Sequence, residues 1–504
     1  MVQNLPPACA SRNESRVSKT VIIGAGIGGL ATALRLRMHG RQVQVIEQGD
    51  QPGGKLNEFT EAGFRFDAGP SLFTLPALVE ELVQLANESP DRFPYIKLDR
   101  SCHYFWNDGT QLIAWADRKQ FAAEIESKLG VSAQPALKHL DKSAFLYEKT
   151  AKLFMERSLH KVKSYLSRDV LGALFNVHRL NLLTTMDKAN QTALNHPKLV
   201  QLFNRYATYN GSDPYRAPGV LHIIPHLEHN IGTFFPKNGM YQITQVIAQI
   251  AQEKGVEFHF NTKATGIRIE GKQCTGVETS GGFFTADEVV SNADVFSTYR
   301  FLLPNQKAPE RILKRERSSS ALIFYWGINR KFDELDLHNI LFSDDYAGEF
   351  KMLFEGEQLH PDPTVYINIT SKYNQADAPV GAENWFVMIN VPANRGQNWT
   401  AWIPEARAVI IQKINAVLKT DLEQHIVFEH VLDPEGIESK TSSHMGSLYG
   451  TSSNDTMAAF LRHPNFAQSI KGLYFCGGSV HPGGGIPLCL LSAKIVSELI
   501  EGDS

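Results

Sequence analysis

Read for its alternation of apolar and polar positions, the chain divides into stretches of two kinds. Val21-Ile22-Ile23 is a short β-branched run without polar interruption, the pattern of a strand buried on both faces. Leu30-Ala-Thr-Ala-Leu-Arg-Leu36 continues with good helix formers, and Gln42-Val-Gln-Val-Ile-Glu47 reads as a second strand. Phe59 to Phe66 is hairpin-like, and Leu75, Leu78, Val79, Leu82 and Leu85 predict a helix between Leu72 and Ala86. Strand-like alternation fills 93–120, with Asp108-Gly109 as the turn between two apolar runs. From Phe121 to about Leu202 the pattern becomes helical and mixed in charge. A helix over Ile243–Lys254, a strand over Val256–Phe260, a hairpin within 263–279 and a buried strand ending at Asp294 then restore the alternation of the N-terminus. Between Ser318 and Val431 the β-type runs Ala321–Gly327, Thr364–Ile369, Trp385–Val391 and Ile426–Glu429 predict a largely antiparallel sheet, with a helix from Pro404 to Leu418 beside it. A last strand, Leu473-Tyr-Phe-Cys476, leads through glycines to a helix from Leu488 to Ile500.

This order places α/β segments at both ends of the chain and a mixed α+β region between them. At 504 residues the chain is too long for one core, so two domains are expected. One, α/β and discontinuous, takes 19–92, 236–305 and 440–504. The other, an inserted mixed α+β substrate domain, takes 93–235 and 306–439, and 1–18 form a polar tail. Within the helical block, Val170-Leu-Gly-Ala-Leu-Phe175 and Leu180-Asn-Leu-Leu183, with Lys161, Lys163, Arg168 and Arg179 nearby, could form an apolar, basic face for a membrane surface.

The chemistry enters between the first strand and the first helix. Gly24, Gly26 and Gly29 form G-x-G-x-x-G, with Ile27 and Gly28 at the start of the helix. The three glycines give a tight turn, close backbone approach to a pyrophosphate, and close helix–strand packing, while the helix N-terminus offers N–H groups to an anion. Glu47, 18 residues beyond Gly29, ends the second strand where an acid accepts hydrogen bonds from an adenosine ribose, with Gln48 beside it. Pro52-Gly53-Gly54-Lys55 resembles the signature of FAD enzymes of the glutathione reductase and amine oxidase type, so the first domain is expected to be a Rossmann-type FAD domain. The turn Gly69-Pro70-Ser71 is expected over the flavin side of the cofactor, and the backbone from Thr262 to Ala264 near its adenine. At the C-terminus, Gly477-Gly478-Ser479 and His481-Pro-Gly-Gly-Gly485-Ile486-Pro487 make a strand, a glycine loop and a second helix N-terminus, a backbone surface against which an isoalloxazine ring can lie. Arg205, with Tyr206 in an aromatic segment, is either a structural ion pair or a polar anchor for a long apolar substrate.

Composition narrows the partners. A net charge of −3 gives no field for a polyanion, so nucleic acid is not expected. Cys9, Cys102, Cys274, Cys476 and Cys489 are odd in number and form no C-x-x-C, as expected of reduced cytoplasmic thiols and not of a disulfide frame or metal site. Residues 1–19 lack the apolar core of a signal peptide, and no run approaches 18 apolar residues, so at most a peripheral contact with the inner face of the cell membrane is expected.

Taken together, the motifs resemble those of the bacterial carotenoid desaturases, flavin-dependent enzymes that oxidise phytoene-derived polyenes. The resemblance rests on Val21–Leu30, Pro52–Lys55, Phe66–Pro70, Arg205–Tyr209, Pro214–Pro218, Phe235–Met240, Val290–Asp294 and His481–Pro487, and runs from about Lys19 to the end. Lys55, where phytoene desaturases usually carry Arg, resembles the hydroxycarotenoid 3,4-desaturases, and Gly484 replaces the commoner Ala of the last motif. The resemblance implies an FAD-dependent CH–CH oxidoreductase that transfers a hydride from a carbon next to the polyene to flavin N5, with proton loss from the neighbouring carbon. Conjugation spreads the developing charge, so no catalytic acid–base side chain is expected, which fits the absence of such a signature. The resemblance implies an acyclic carotenoid substrate such as 1′-hydroxy-γ-carotene, an apolar tunnel for it, and no metal; the electron acceptor is not specified. Phytoene desaturation, flavin amine oxidation and a non-catalytic prenyl-escort role are the competing readings.

Overall fold

Strands buried on both faces pair best in a parallel sheet covered by helices. Lys19–Ile23 behaves so: it pairs in parallel with Gln42–Ile46 on one side and Glu288–Ser291 on the other. Leu473–Phe475 and Glu257–His259 complete a five-stranded parallel sheet in the order Leu473–Phe475, Glu288–Ser291, Lys19–Ile23, Gln42–Ile46, Glu257–His259. Segments hundreds of residues apart therefore share one sheet. The computed structural model describes residues 17–158, 160, 184–356, 358–455 and 462–502.

Helices Ile27–Met38, Gln242–Glu253 and Ile486–Gly502 supply one core against this sheet, through Leu30, Leu34, Ile243, Ile247, Leu490 and Val496. Arg41, 6% exposed, pairs with Glu288 at 2.9 Å and Glu501 at 2.7 Å, joining the connection after the first helix to a central strand and the last helix. The other face is covered by an antiparallel meander of Ala264–Glu270, Gln273–Thr279 and Gly282–Thr285.

The second sheet has seven strands, ordered Ile426–Leu432, Ser320–Ile328, Glu383–Val391, Val365–Asn368, His338–Leu341, Arg100–Phe105, Gln111–Trp115. It is antiparallel except where His338–Leu341 meets Arg100–Phe105 in parallel, which brings an early hairpin into a late sheet. All nine residues of Ser320–Ile328 are buried. Leu322, Phe324 and Trp326 pack toward helix Trp399–Leu418, while Ala321, Ile323 and Tyr325 face the hairpin Glu58–Glu61/Phe64–Asp67 and a large cavity. Helices Arg118–Leu129, Gln134–Phe154, Met186–Ala193 and Pro197–Asn204 stand at the far end of this sheet.

Two expected boundaries move. The helix expected from Leu72 begins at Ala77, because Leu75 takes φ +53° and Pro76 starts the turn. The helix expected from Pro404 begins at Trp399, where the Asn398 side chain accepts the Ala401 N–H at 3.2 Å and Trp399 packs edge-to-face on Trp402 at 5.1 Å. The apolar, basic stretch over 161–183 and residues 1–16 lie outside the described residues. Cys102, Cys274, Cys476 and Cys489 are free thiols. Among the described residues no helix is long and apolar enough to cross a membrane.

Candidate functional site

A cavity of about 1470 Å³ runs between the two sheets. On the side of the parallel sheet the wall is built from six separate segments. Gly24, Gly26, Ile27 and Gly28 come from the first, Glu47 and Gln48 from the end of the second strand, and Gly54 and Lys55 from the next. Gly69, Pro70 and Ser71 contribute from the loop after the hairpin, Ala264 from the meander, and Gly478, Ser479, Gly485, Ile486 and Pro487 from the C-terminal loop. Gly26 and Gly485, from opposite ends of the chain, thus face one crevice. Gly29 stands behind the wall: a Cβ there would lie 2.2 Å from the Gly24 carbonyl oxygen, so its role is helix–strand packing.

Glu47 is held by two backbone donors, with Ala25 N–H on Oε2 and Gly49 N–H on Oε1, both at 2.8 Å. A carboxylate accepts about four hydrogen bonds, which leaves it capacity toward the cavity. Gly26, the N-cap of helix Ile27–Met38, provides no side-chain cap, so the first-turn N–H groups remain available to an anion. Lys55 Nζ donates to the carbonyls of Ser447 (3.0 Å) and Leu448 (2.8 Å), tying the Gly53-Gly54 turn to the C-terminal segment. Burial pushes its amine down to about 8, against the pull of Asp294.

Asn292 is the residue that sequence reasoning missed here. Its Oδ1 would lie 2.7 Å from a Cβ on Gly26, and its Nδ2 2.9 Å from one on Gly28 and 2.6 Å from one on Gly477. Nδ2 also donates to the Cys476 carbonyl at 3.2 Å. One amide therefore fills the space left by three glycines and joins the N-terminal turn to the C-terminal one. The available signal was its position directly after the buried strand Glu288–Ser291.

On the side of the second sheet the wall is mostly apolar, with Ala321, Ile323, Ile340 and Met388 from the sheet and Phe350 and Leu353 from helix Tyr346–Glu355. A polar knot around Arg205 interrupts it. Arg205 Nη2 pairs with Glu228 Oε1 at 3.0 Å and donates to the Tyr104 hydroxyl at 2.6 Å. Tyr206 donates to Glu228 at 2.8 Å, and Tyr209 donates to the same carboxylate. Burial works to raise the Glu228 pKa, but Arg205 and these hydroxyls hold it below the usual carboxylate range. Arg205 and Tyr209 line the cavity, whereas Tyr206 is fully buried behind them, so the wall next to the arginine is Tyr209.

An uncapped helix N-terminus, an acid with spare acceptor capacity and glycine backbone along one wall fit a dinucleotide with a pyrophosphate and a flat ring system. The family models agree. The flavin containing amine oxidoreductase model matches residues 27–318, and the FAD dependent oxidoreductase model matches 195–499. The chain belongs to the flavin containing amine oxidoreductase family; it is an oxidoreductase, and its cofactor is FAD. It is 52% identical to the 1-hydroxycarotenoid 3,4-desaturase of Flavobacterium sp. (strain P99-3), over 96% of this chain and 99% of the relative. The 4,4'-diapolycopene oxygenase of Methylomonas sp is 32% identical, over 97% of this chain and 99% of the relative. Among solved structures, an oxidoreductase from Methanosarcina mazei shares the fold with TM-score 0.63 and 15% identity, covering 95% of this chain and 100% of that one. Cyclohexylamine oxidase from Brevibacterium oxydans IH-35A does so with TM-score 0.62 and 14% identity, covering 97% and 99%.

Proposed function

We propose that this chain is a carotenoid desaturase that introduces a C=C bond into an acyclic carotenoid end, acting on a 1-hydroxycarotenoid at the 3,4 position. The observation that carries the reading is 52% identity, sustained over 96% of the chain, to a relative named for that reaction. A cavity of about 1470 Å³, mostly apolar on the side of the second sheet and glycine-lined on the side of the parallel sheet, suits a polyene whose tip meets a flavin.

In this reading Gly24, Gly26, Ile27 and Gly28 hold the pyrophosphate, Glu47 and Gln48 the ribose, and Ala264 the adenine side. Gly54, Lys55, Gly69, Pro70, Ser71, Gly478, Ser479, Gly485, Ile486 and Pro487 surround the flavin. When bound, the flavin supplies a two-electron acceptor. The chain's own residues position the polyene and exclude water, and Arg205 anchors that region of the tunnel. The proposed division into an FAD domain (19–92, 236–305, 440–504) and a substrate domain (93–235, 306–439) is supported by the two sheets, each of which draws its strands from one of them. A polyene dissolved in lipid requires an entry at a membrane surface. Phe301, 68% exposed and part of the cavity wall, supports an entry there and peripheral contact of the protein with a membrane.

Expression in cells that accumulate different carotenoids, followed by pigment analysis, tests the reading. Conversion of a 1-hydroxylated carotenoid to its 3,4-dehydro product, with phytoene left untouched, is the expected result. Conversion of phytoene alone, or oxygenation without desaturation, would overturn it.

A further inference from the structure

The cavity wall contains a second polar group, separate from the Arg205 knot. Ser71 Oγ lies 2.8 Å from the Tyr366 hydroxyl, which lies 2.8 Å from His338 Nδ1. All three residues line the cavity. His338 is 2% exposed, and its Nε2 is buried without a hydrogen-bond partner.

The direction of these bonds can be worked out. Asn368 Nδ2 donates to the Leu337 carbonyl at 3.0 Å, which fixes the orientation of that amide, and Nδ2 also lies 3.2 Å from His338 Nδ1. Nδ1 is therefore an acceptor, and the neutral ring carries its proton on Nε2. Burial holds the ring neutral by pushing its pKa down to about 4. With Nδ1 accepting, Tyr366 donates to it and accepts from Ser71, whose oxygen keeps its lone pairs for the cavity. The wall thus offers a hydroxyl acceptor at Ser71, held by Tyr366 and, behind it, by His338. A substrate hydroxyl can donate to it; a carbonyl, an ether or a hydrocarbon end cannot.

We propose that Ser71, Tyr366 and His338 form the site that recognises a hydroxyl group on the substrate's terminal isoprenoid unit. The proposal rests on the desaturase reading above and names the residues that set its specificity. Oxygen on carbon 1 stands two carbons from a bond formed between carbons 3 and 4, so the group that reads it must lie near the flavin. Ser71, directly after Gly69-Pro70, satisfies that condition. The Arg205 knot fits the task less well, because its carboxylate and three phenols already satisfy one another. An end without the hydroxyl leaves the Ser71 acceptor facing hydrocarbon, a defect that sites built to bond a hydroxyl convert into selectivity.

The test is competition, in flavin-loaded protein, between a carotenoid bearing a tertiary hydroxyl at its end and the same carotenoid without it. Tyr366→Phe and His338→Leu are expected to lower the preference for the hydroxylated compound by about 10- to 100-fold, with flavin content unchanged. His338→Gln, whose amide oxygen can accept from the Tyr366 hydroxyl in place of Nδ1, is expected to recover part of it. An unchanged preference in the first two variants overturns the site. So does a wild-type protein that converts both compounds equally, although that result leaves the desaturase reading standing. Failure of the wild type to convert any hydroxylated carotenoid removes the function itself. Should His338→Leu not take up flavin, Tyr366→Phe alone carries the expectation, since it removes only the oxygen that joins His338 to Ser71.

Discussion

Glu228 and Asn292 act at the scale of single residues, and each has a measurable consequence. Glu228 is 1% exposed and balances the Arg205 guanidinium. Glu228→Gln keeps the shape but leaves a buried cation unpaired, which costs about 3–5 kcal/mol; a urea midpoint shifted down accordingly is the expected result. Asn292 bridges the two glycine turns, so Asn292→Ala should loosen the crevice without unfolding the sheet. Flavin retained after gel filtration, read from the visible absorbance, is expected to correspond to an affinity lower by about tenfold. The Arg205 segment was legible as chemistry but not as geometry. An arginine among aromatic residues signals a buried partner, but Glu228 lies 23 positions away and only the fold selects it.

At the scale of elements, the hairpin Glu58–Glu61/Phe64–Asp67 links the two sheets. Phe64 lies against Gly327, where an added Cβ would stand 2.5 Å from its ring. Gly327→Ala should push the hairpin off the strand and cost about 1–3 kcal/mol, read as a lower thermal midpoint. Pro404 sits inside helix Trp399–Leu418 and withholds one backbone N–H from its ladder. Pro404→Ala restores that bond, and a gain of about 1–2 kcal/mol is expected from calorimetry. The second case shows why a boundary read from pattern was displaced. Proline marks a helix start on average, but here two tryptophans and an asparagine cap outweigh it one turn earlier.

At the scale of the whole molecule, burial gives the protein a defined acid limit. His139, His229, His338, His463 and His481 are all nearly inaccessible, and burial pushes each down to about 4. Between pH 6.5 and 4 the unfolded chain binds protons that the folded one refuses, so stability rises with pH there and is lost on acidification. Each histidine contributes roughly 1.4 kcal/mol per pH unit. Asp213 and Asp377, whose carboxyls burial raises to about 6, offset part of that sum. About 4 kcal/mol per unit remains, against a typical total of about 5–15 kcal/mol. A denaturant midpoint that falls steadily as the pH is lowered from about 6 to 4.5 is expected; a midpoint that is unchanged over this range would contradict it.

Local chemistry determined the parts of this protein that need only neighbouring residues. The fingerprint glycines, Glu47, the Gly53-Gly54 turn and the glycine-rich C-terminal loop were readable because a nucleotide requires backbone approach, and backbone approach requires glycine at fixed spacing. Strand and helix types followed from periodicity for the same reason. Tertiary structure alone decided which distant segments meet: the parallel joint of His338–Leu341 with Arg100–Phe105, Asn292 among three glycines, Tyr209 in the wall in place of Tyr206, and the Ser71–Tyr366–His338 chain. Hydrogen bonds and packing contacts act over a few ångströms in space, and sequence separation places no constraint on which residues come within that range.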